Sequence, residues 1–348
     1  MKSFLSQLVQ GHTLSTEETI QAFELIMTGS ASAPQIAALL AMMQHRGPSI
    51  DEITGAATVM RDKAVKVMVP KGLTVIDTCG TGGDHAETFN ISTAAALVAA
   101  AAGRPHNVAV AKHGNRSVTS KSGSSTVLET LGVKLTVSGD TLSRCLDEAG
   151  ICFCFAPAHH PAMKYAAPVR QELGFRTLFN MLGPLTNPAQ ARRQVMGVFD
   201  AKLTEPIAQV LLRLGAEHAM VVHGDFVPGV SGLDELSTTG ISQISEVRNG
   251  AVHTRHVNAT TLGLPRAEPA ALSAQSPQES AKILGDVLAG EKGAPRDIVA
   301  LNAAAALVVA GIASDLPQGI AQAQEALDSG EAARVLQKLI ALTQADAT

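Results

Sequence analysis

Residues 73–84 of the chain read LTVIDTCGTGGD, and this stretch decides the fold because a strand pattern leads directly into a glycine-rich loop. The β-branched run at 73–76 predicts a buried strand. Three glycines within the next few residues allow positive φ and let backbone N–H groups turn towards an anion. The loop ends on the acid Asp84. We therefore predict a phosphate-binding loop at the end of a strand.

Residues 88–93, TFNIST, follow this loop and precede an alanine-rich helix expected over 94–102. Their hydroxyl and amide groups would lie at the helix N-terminus, where free N–H groups and the helix dipole favour negative charge. The glycine spacing matches neither a P-loop nor a dinucleotide fingerprint, so for this loop alone an ordinary glycine turn is the alternative. Strand, loop, polar cap and helix together indicate a phosphate-bearing ligand.

A second polar loop, KHGNRSVTSKSGS at 112–124, follows a strand expected over 108–111. It carries three Lys or Arg side chains, five hydroxyls and two glycines, and it leads into a helix expected over 126–131. Cations and hydroxyls of this kind bind phosphoryl oxygens. The alternative is a solvated basic loop. Two such loops, each after a strand, favour a ligand site because ligands of open parallel sheets bind at the carboxyl ends of the strands.

Asp234 and Glu235 form an acidic pair after a strand expected over 219–224 and a long loop expected over 225–231. Magnesium takes one or two carboxylates and completes its shell with water and substrate phosphate. Acidic pairs are also common on surfaces. Because two phosphate loops accompany this pair, we interpret it as a magnesium site.

Strand and helix patterns alternate from residue 74 onward, which predicts an α/β domain with a mostly parallel central sheet flanked by helices. Further strands are expected near 151 and 220, and a helix over 142–149. The first seventy residues read as helices. The signals are capping boxes at Ser15/Glu18 and Ser49/Glu52, and Pro34 opens a helix that runs to about residue 44. A further helix is expected over 160–173.

Composition predicts a cytoplasmic enzyme with neither nucleic acid nor a membrane as partner. The 348 residues carry a net charge of −4 without a basic block, and the longest apolar run, 303–312, is too short to span a bilayer. Residues 1–13 lack a signal-peptide core. The four cysteines have no zinc spacing and are interpreted as buried thiols.

Six motifs in order make the chain resemble the anthranilate phosphoribosyltransferase family over nearly its whole length. They are DTCGTGGD at 77–84, TFNIST at 88–93, KHGNRSVTSKSGS at 112–124, HHPAMK at 159–164, VRQELGFRTLFNMLGPLTNP at 169–188 and GLDE at 232–235. The resemblance implies transfer of the phosphoribosyl group of phosphoribosyl pyrophosphate (PRPP) to the amine of anthranilate, with release of pyrophosphate. It also implies Mg²⁺, with two ions per monomer, and a homodimer formed through the helical domain.

The resemblance implies a division of the chain into two domains and a set of site residues. The small helical domain would comprise 1–72 joined by about 160–185, and the large domain 73–159 and 186–348. PRPP would contact Gly80, Gly83, Asp84, Thr88, Asn90, Ile91, Ser92, Thr93, Lys112, His113, Gly114, Asn115, Arg116, Ser117, Val118, Thr119, Ser120 and Ser124. Anthranilate would contact Gly80, Asn115, His160 and Arg170, and the metal would be held by Ser92, Asp234 and Glu235.

The chemistry assigns few catalytic groups. Lys112 would stabilise the charge of the departing pyrophosphate. The aryl amine is a neutral nucleophile, so we assign no general base. His113 is the candidate if one acts, although a positioning role is expected. The guanidinium of Arg170 matches the carboxylate of anthranilate.

The sequence departs from the family pattern in three places, one of which is the longer loop at 225–231 before the Asp-Glu pair. Residues 124–126 read SST where the family usually reads SAD, and Asp84 is followed by HAE where a glycine is usual. These changes bear on fine positioning. Two alternatives remain open at this point. A pyrimidine nucleoside phosphorylase of the same architecture would not need the Asp-Glu pair, and a non-catalytic nucleic-acid-binding relative would have a basic groove and damaged loops.

Overall fold

The computed structural model describes residues 1–116, 123–227 and 231–347, and it begins with helices. These are α1 (Lys2–Val9), α2 (Thr16–Met27), α3 (Ala33–Arg46) and α4 (Ile50–Lys63). Both predicted capping boxes are confirmed. The Ser15 hydroxyl accepts from the Glu18 N–H while the Glu18 carboxylate accepts from the Ser15 N–H, and Ser49 and Glu52 repeat the arrangement. Local sequence therefore determines where α2 and α4 begin.

A single sheet forms the centre of the rest of the described chain. Its strands are β1 (Thr74–Gly80), β2 (Val108–Gly114), β3 (Ile151–Phe155), β4 (Arg193–Gly197), β5 (His218–Val227), β6 (Ser231–Leu233), β7 (Ile241–Arg248) and β8 (Ala251–Asn258). The order is β3-β2-β1-β4-β5-β7-β8, with β6 paired to β5. Pairing is parallel from β3 to β5 and antiparallel from β5 onward, so the prediction of a mostly parallel sheet is confirmed.

Eleven α-helices follow α4 in the described chain, and most of them cover this sheet. They are α5 (Ile91–Gly103), α6 (Ser124–Thr130), α7 (Gly139–Arg144), α8 (Ala156–His159), α9 (Ala167–Leu173), α10 (Phe179–Leu182), α11 (Thr204–Arg213), α12 (Pro277–Leu288), α13 (Ala294–Ala310), α14 (Leu316–Asp328) and α15 (Glu331–Gln344). The alanine-rich helices α5 and α13 pack on each other and are almost entirely buried. None of the described helices is both long enough and apolar enough to cross a membrane.

Two details of the sequence prediction are wrong. The single helix expected over 160–173 is instead a 3₁₀ turn at Pro161–Tyr165 followed by α9, and α8 ends just before it at His159. Proline lacks an N–H and clashes with the preceding turn, so Pro161 and Pro168 start new helical segments instead of continuing one. Residues 225–227 and 231, which were expected in a loop, lie in strands, because β5 extends to Val227 and β6 begins at Ser231.

The segment that contains α9 and α10 returns to the N-terminal helices. The 3₁₀ turn contacts α2, α9 contacts α3, and α10 contacts α4. Phe179 of α10 lies with its ring centroid 5.5 Å from that of Phe23 in α2. This packing holds the segment opposite the carboxyl ends of the parallel strands, and a cleft lies between them.

Candidate functional site

The cleft has a volume of about 650 Å³, which suits small-molecule ligands. It brings together most of the residues that the sequence indicated. Those that line it are Gly80, Gly83, Asp84, Thr88, Asn90, Ile91, Ser92, Lys112, His113, Gly114, Asn115, Arg116, Ser124, His160, Arg170, Asp234 and Glu235. They come from the carboxyl ends of β1 and β2, the start of α5, the segment after β6, and the returning segment.

Some predicted residues lie elsewhere. Thr93 is buried in α5, is 1% exposed, and does not line the cleft. Ser117, Val118, Thr119 and Ser120 lie outside the described residues. The cleft also includes residues that the sequence analysis did not assign, among them Met60, Arg176, Phe179, Asn180 and Phe199. Arg176 could have been predicted from the sequence, since it is a cation inside the motif at 169–188 that carries the family resemblance.

The glycine loop is shaped by a close approach of Asp234. A Cβ on Gly80 would overlap with the Asp234 carboxylate, so only glycine fits there. Gly82 has a φ of 65° and donates its N–H to Asp234 Oδ2 at 2.8 Å. His85 and Glu87 also have positive φ, 59° and 50°, in the stretch after Asp84 where the resembling family usually has a glycine. Each such residue costs about 1–2 kcal/mol, so the loop needs contacts that hold it.

Three carboxylates meet below this loop. Asp84 Oδ2 accepts the N–H of Asp234 at 3.3 Å, and Glu235 Oε1 accepts the N–H of Ser92 at 3.1 Å. Burial raises the pKa of Asp234 well above its usual range, and the charges of Asp84 and Glu235 raise it further. Burial also raises the pKa of Glu235 to about 7, although Lys112 partly opposes this shift. The cluster therefore favours a positive charge in its neighbourhood.

Lys112 is the buried cation beside these acids. Its ammonium group donates to the Thr78 carbonyl at 2.5 Å and to the Ser92 hydroxyl at 3.3 Å, and the residue is only 2% exposed. One ammonium group does not neutralise three carboxylates, so the chemistry of the donor set fits a divalent cation. Within residues 1–116, 123–227 and 231–347, no group of three or more His, Cys, Asp or Glu side chains is arranged to hold a metal ion by itself. A set of two carboxylates and a hydroxyl suits magnesium, which completes its shell with water and phosphate.

His113 and His160 form a pair of neutral imidazoles that lines the cleft. The Gly183 carbonyl lies 2.9 Å from His113 Nδ1 and can only accept, so Nδ1 carries the proton. His113 Nε2 then accepts from His160 Nε2 at 3.3 Å. Burial, aided by the neighbouring histidines, lowers the pKa of His113 to about 3 and that of His160 to about 4. The lone pair of His113 is thus already engaged, which favours positioning over general-base catalysis.

The outer part of the cleft suits a flat anionic group. Arg170 lies with its guanidinium carbon 5.2 Å from the centroid of the Phe179 ring, and burial lowers its pKa from the usual value. Met60 and Leu182 add apolar surface. A guanidinium beside an aromatic and aliphatic wall can bind the carboxylate and the ring of an aromatic acid.

Two family models match the chain, and they divide it between its helical and its sheet-containing parts. Residues 2–64 match the helical bundle domain of a glycosyl transferase family. Residues 72–333 match the a/b domain of a glycosyl transferase family.

Relatives with known names cover the whole chain. It is 49% identical to an anthranilate phosphoribosyltransferase from Symbiobacterium thermophilum, over 97% of this chain and 96% of that protein. The crystal structure of anthranilate phosphoribosyltransferase from Thermus thermophilus superposes with a TM-score of 0.90 at 41% identity, covering 98% of this chain and 99% of that one. The Saccharomyces cerevisiae enzyme in complex with PRPP and Mg gives a TM-score of 0.87 at 25% identity, covering 98% and 97%.

Proposed function

Because the chain belongs to the anthranilate phosphoribosyltransferase family, we propose that its cleft holds PRPP against the glycine loop and anthranilate beside Arg170. The chain transfers the phosphoribosyl group of PRPP to the amine of anthranilate, a step of tryptophan biosynthesis. One observation carries the assignment of roles. The glycine loop, the Asp-Glu pair, Lys112 and the first turn of α5 converge at one end of the cleft, with Arg170 on its opposite wall.

The donor end of the cleft is proposed to bind the phosphates and the ribose. Backbone N–H groups of a glycine loop and of a helix N-terminus are suited to phosphate, and α5 begins at Ile91 beside the loop. Arg116 and Ser124 line the same region and can add donors. The Saccharomyces cerevisiae structure that contains PRPP and Mg supports this ligand.

Magnesium is proposed to be held by Ser92, Asp234 and Glu235, with two ions per monomer. When bound, it would supply positive charge to the pyrophosphate as that group leaves. The raised pKa values of Asp234 and Glu235 support a cation at this position, because a neighbouring positive charge favours the ionised carboxylates.

The residues of the chain itself orient both substrates and stabilise charge. Cleavage of the bond between C1 of the ribose and the pyrophosphate leaves a cation-like sugar and a highly anionic leaving group, as in glycoside cleavage. Lys112 lies where it can stabilise that anion. Anthranilate attacks through its neutral amine, held by Arg170 and Asn115, so His113 is proposed to shape the pocket with His160. Enclosure of the bound donor between the strand ends and the returning segment would reduce its hydrolysis by water.

Three further properties are part of the proposal. The small domain comprises 1–72 with about 160–185, and the large domain comprises 73–159 and 186–348. The packing of α9 on α3 and of α10 on α4 supports this division. A homodimer through the helical domain and a cytoplasmic location are proposed from the family resemblance.

The activity is tested by following anthranilate fluorescence in the presence of PRPP, with and without magnesium. A magnesium-dependent loss of signal is expected. Folded protein that leaves the fluorescence unchanged, and that instead cleaves uridine or thymidine with phosphate, would overturn the proposal in favour of a nucleoside phosphorylase.

The acceptor role of Arg170 has its own test. Arg170→Gln removes the guanidinium and should raise the KM for anthranilate by about 10- to 100-fold, because a charge-assisted hydrogen bond is lost. The KM for PRPP should change little. Arg213→Gln is the matched control, since Arg213 pairs with Asp51 on the surface at 2.6 Å, outside the cleft. An equal rise in both KM values would contradict the assigned role.

A further inference from the structure

Arg176 joins three parts of the cleft and has no role in the function proposed above. It follows α9 in the returning segment, and its Nη2 donates to the carbonyl of Gly83 in the glycine loop. The same nitrogen lies 3.2 Å from His85 Nε2. Its guanidinium plane lies over the ring of Phe199, 4.3 Å from the centroid, just beyond the end of β4. One side chain thus ties the loop to the opposite wall.

The glycine loop depends on contacts of this kind. Gly82, Gly83, His85 and Glu87 all have positive φ, and two of the four are not glycine. A backbone of this shape persists only when its surroundings hold it. Asp84 supplies one set of contacts, since it accepts from the N–H groups of Ala86 and Asp234. Arg176 supplies the other at Gly83, where a Cβ would overlap with the guanidinium.

The direction of the contact matters for phosphate binding. A carbonyl that faced the phosphates would repel them, whereas N–H groups attract them. Arg176 binds the carbonyl of Gly83, which fixes the orientation of the adjacent peptide groups of the loop. The stacking on Phe199 restricts the guanidinium to one plane, so a flexible lysine could not replace it.

We propose that Arg176 is a positioning residue for the donor substrate, which holds the glycine loop in the conformation that binds the pyrophosphate group of PRPP. This inference rests on the function proposed above. It extends that function because Arg176 would contribute to the affinity for PRPP, although it lies in the same segment as Arg170, which is proposed to bind anthranilate. His85 is part of the same device, as an acceptor for Arg176 at a position where the resembling family usually has glycine.

Two measurements test the inference, one of which does not require turnover. Binding of pyrophosphate in the presence of magnesium is measured by calorimetry, and the KM values for PRPP and anthranilate are measured separately. Arg176→Gln should weaken pyrophosphate binding and raise the KM for PRPP by about 10- to 100-fold, as expected for loss of a hydrogen bond from a charged donor. The kcat and the KM for anthranilate should stay within about threefold, because they do not depend on the donor loop in this way.

Companion variants separate positioning from simple charge or folding effects. Arg176→Lys keeps the charge and should still show most of the loss, whereas full rescue by lysine would overturn the inference. Arg255→Gln, on the edge strand β8 and outside the cleft, is the matched control.

The outcomes distinguish this inference from the proposed function. If the wild-type protein shows no transfer but Arg176→Gln still loses pyrophosphate affinity, the function is wrong and the positioning role stands. If transfer occurs and Arg176→Gln binds pyrophosphate as the wild type does, the positioning role is wrong. Should Arg176→Gln not fold, Phe199→Leu, which removes the stacking surface, should give the same loss of pyrophosphate affinity, and unchanged affinity would overturn the inference.

Discussion

Glu52 in the helical region and Glu235 in the cleft are both glutamates withdrawn from solvent, yet their surroundings are opposite. The Glu52 side chain is fully buried and accepts four short contacts, two from Arg46 at 2.6 and 2.8 Å and one each from the N–H groups of Ser49 and Leu14. Glu235 accepts from the Ser92 N–H and lies beside Asp84 and Asp234. The first carboxylate is neutralised within the protein, whereas the second shares its space with like charges.

The difference separates a carboxylate that stabilises the fold from one that is kept for a ligand. A buried charge with its partner in place contributes to a specific packing arrangement. Like charges held together raise the free energy of the protein until something positive arrives, and such clusters are typical of functional sites. Burial raises the pKa of Glu235 to about 7, and the charge of Asp84 adds to this shift while Lys112 opposes it, so Glu235 belongs to this second situation.

The largest effect is expected on the stability of the helical region. Glu52→Ala leaves Arg46 and two backbone N–H groups without their acceptor, which should lower the free energy of unfolding by about 3 kcal/mol. The KM values for both substrates should not change. Urea unfolding monitored by circular dichroism measures the loss. Glu24→Gln, which breaks an exposed pair with Lys63 in the same region, should cost under about 1 kcal/mol. Equal losses in the two variants would remove the distinction.

The opposite result is expected for activity when Glu235 is changed. Glu235→Gln keeps the shape of the side chain but removes a proposed metal ligand, so kcat/KM should fall by about 100- to 1,000-fold at saturating magnesium. Steady-state kinetics measure the loss. Glu217→Gln, on an exposed glutamate that pairs with Arg192 and Arg193, should leave kcat/KM unchanged. A fall of less than about threefold in Glu235→Gln would place this carboxylate outside the reaction.

The same two carboxylates show how far the sequence could predict the structure. The role of Glu52 in a capping box could be predicted from the sequence, because a capping box is a local pattern and Ser49 lies three residues away. The hydrogen bond that Glu52 accepts from the Leu14 N–H could not be predicted, since 38 residues separate the two. A metal-binding role for Glu235 could be predicted, because an acidic pair that accompanies two phosphate loops is typical of a magnesium site. Its contact with Ser92, 143 residues away, required the fold.

Other parts of the site show where local patterns fail. Ser92 and Thr93 are neighbours at the start of α5, but successive helical residues point about 100° apart, so only Ser92 lines the cleft. The helix expected over 160–173 does not form as one helix, because Pro161 and Pro168 each begin a new helical segment. Arg176 was missed because its partner Gly83 lies 93 residues away, and no periodic pattern indicates such a contact.

A third prediction uses pH to measure how strongly the folded, ligand-free protein disfavours the ionised form of Glu235. The pKa of Glu235 rises from the ordinary 4.5 to about 7 in the folded state, so the carboxyl binds its proton more tightly there than in the unfolded chain. Its contribution to stability is therefore fully present below about pH 4.5 and is lost as the pH rises through about 7.

Thermal unfolding in EDTA from pH 5 to 8 checks this sign. Glu235→Gln cannot ionise, so it should match the wild type near pH 5 and become more stable by about 1–2 kcal/mol at pH 8. Glu217→Gln should follow the wild-type curve throughout. Parallel curves for the wild type and Glu235→Gln would show that the folded protein does not disfavour the ionised carboxylate, and they would place Glu235 in the same class as Glu52.

The smallest effect concerns Ser125, which asks whether every unsatisfied buried group marks a ligand site. Its hydroxyl is fully buried without a hydrogen-bond partner among the described residues, and it stands where the resembling family usually has alanine. Unlike Glu235, it does not line the cleft. Ser125→Ala should raise the free energy of unfolding by about 1 kcal/mol, since an unpaired buried hydroxyl is removed, and kcat/KM should be unchanged. Urea unfolding with parallel kinetics tests both expectations. Loss of activity would instead show that the Ser125 hydroxyl contributes to function, so that a neutral buried group as well as a charged one such as Glu235 would be required for activity.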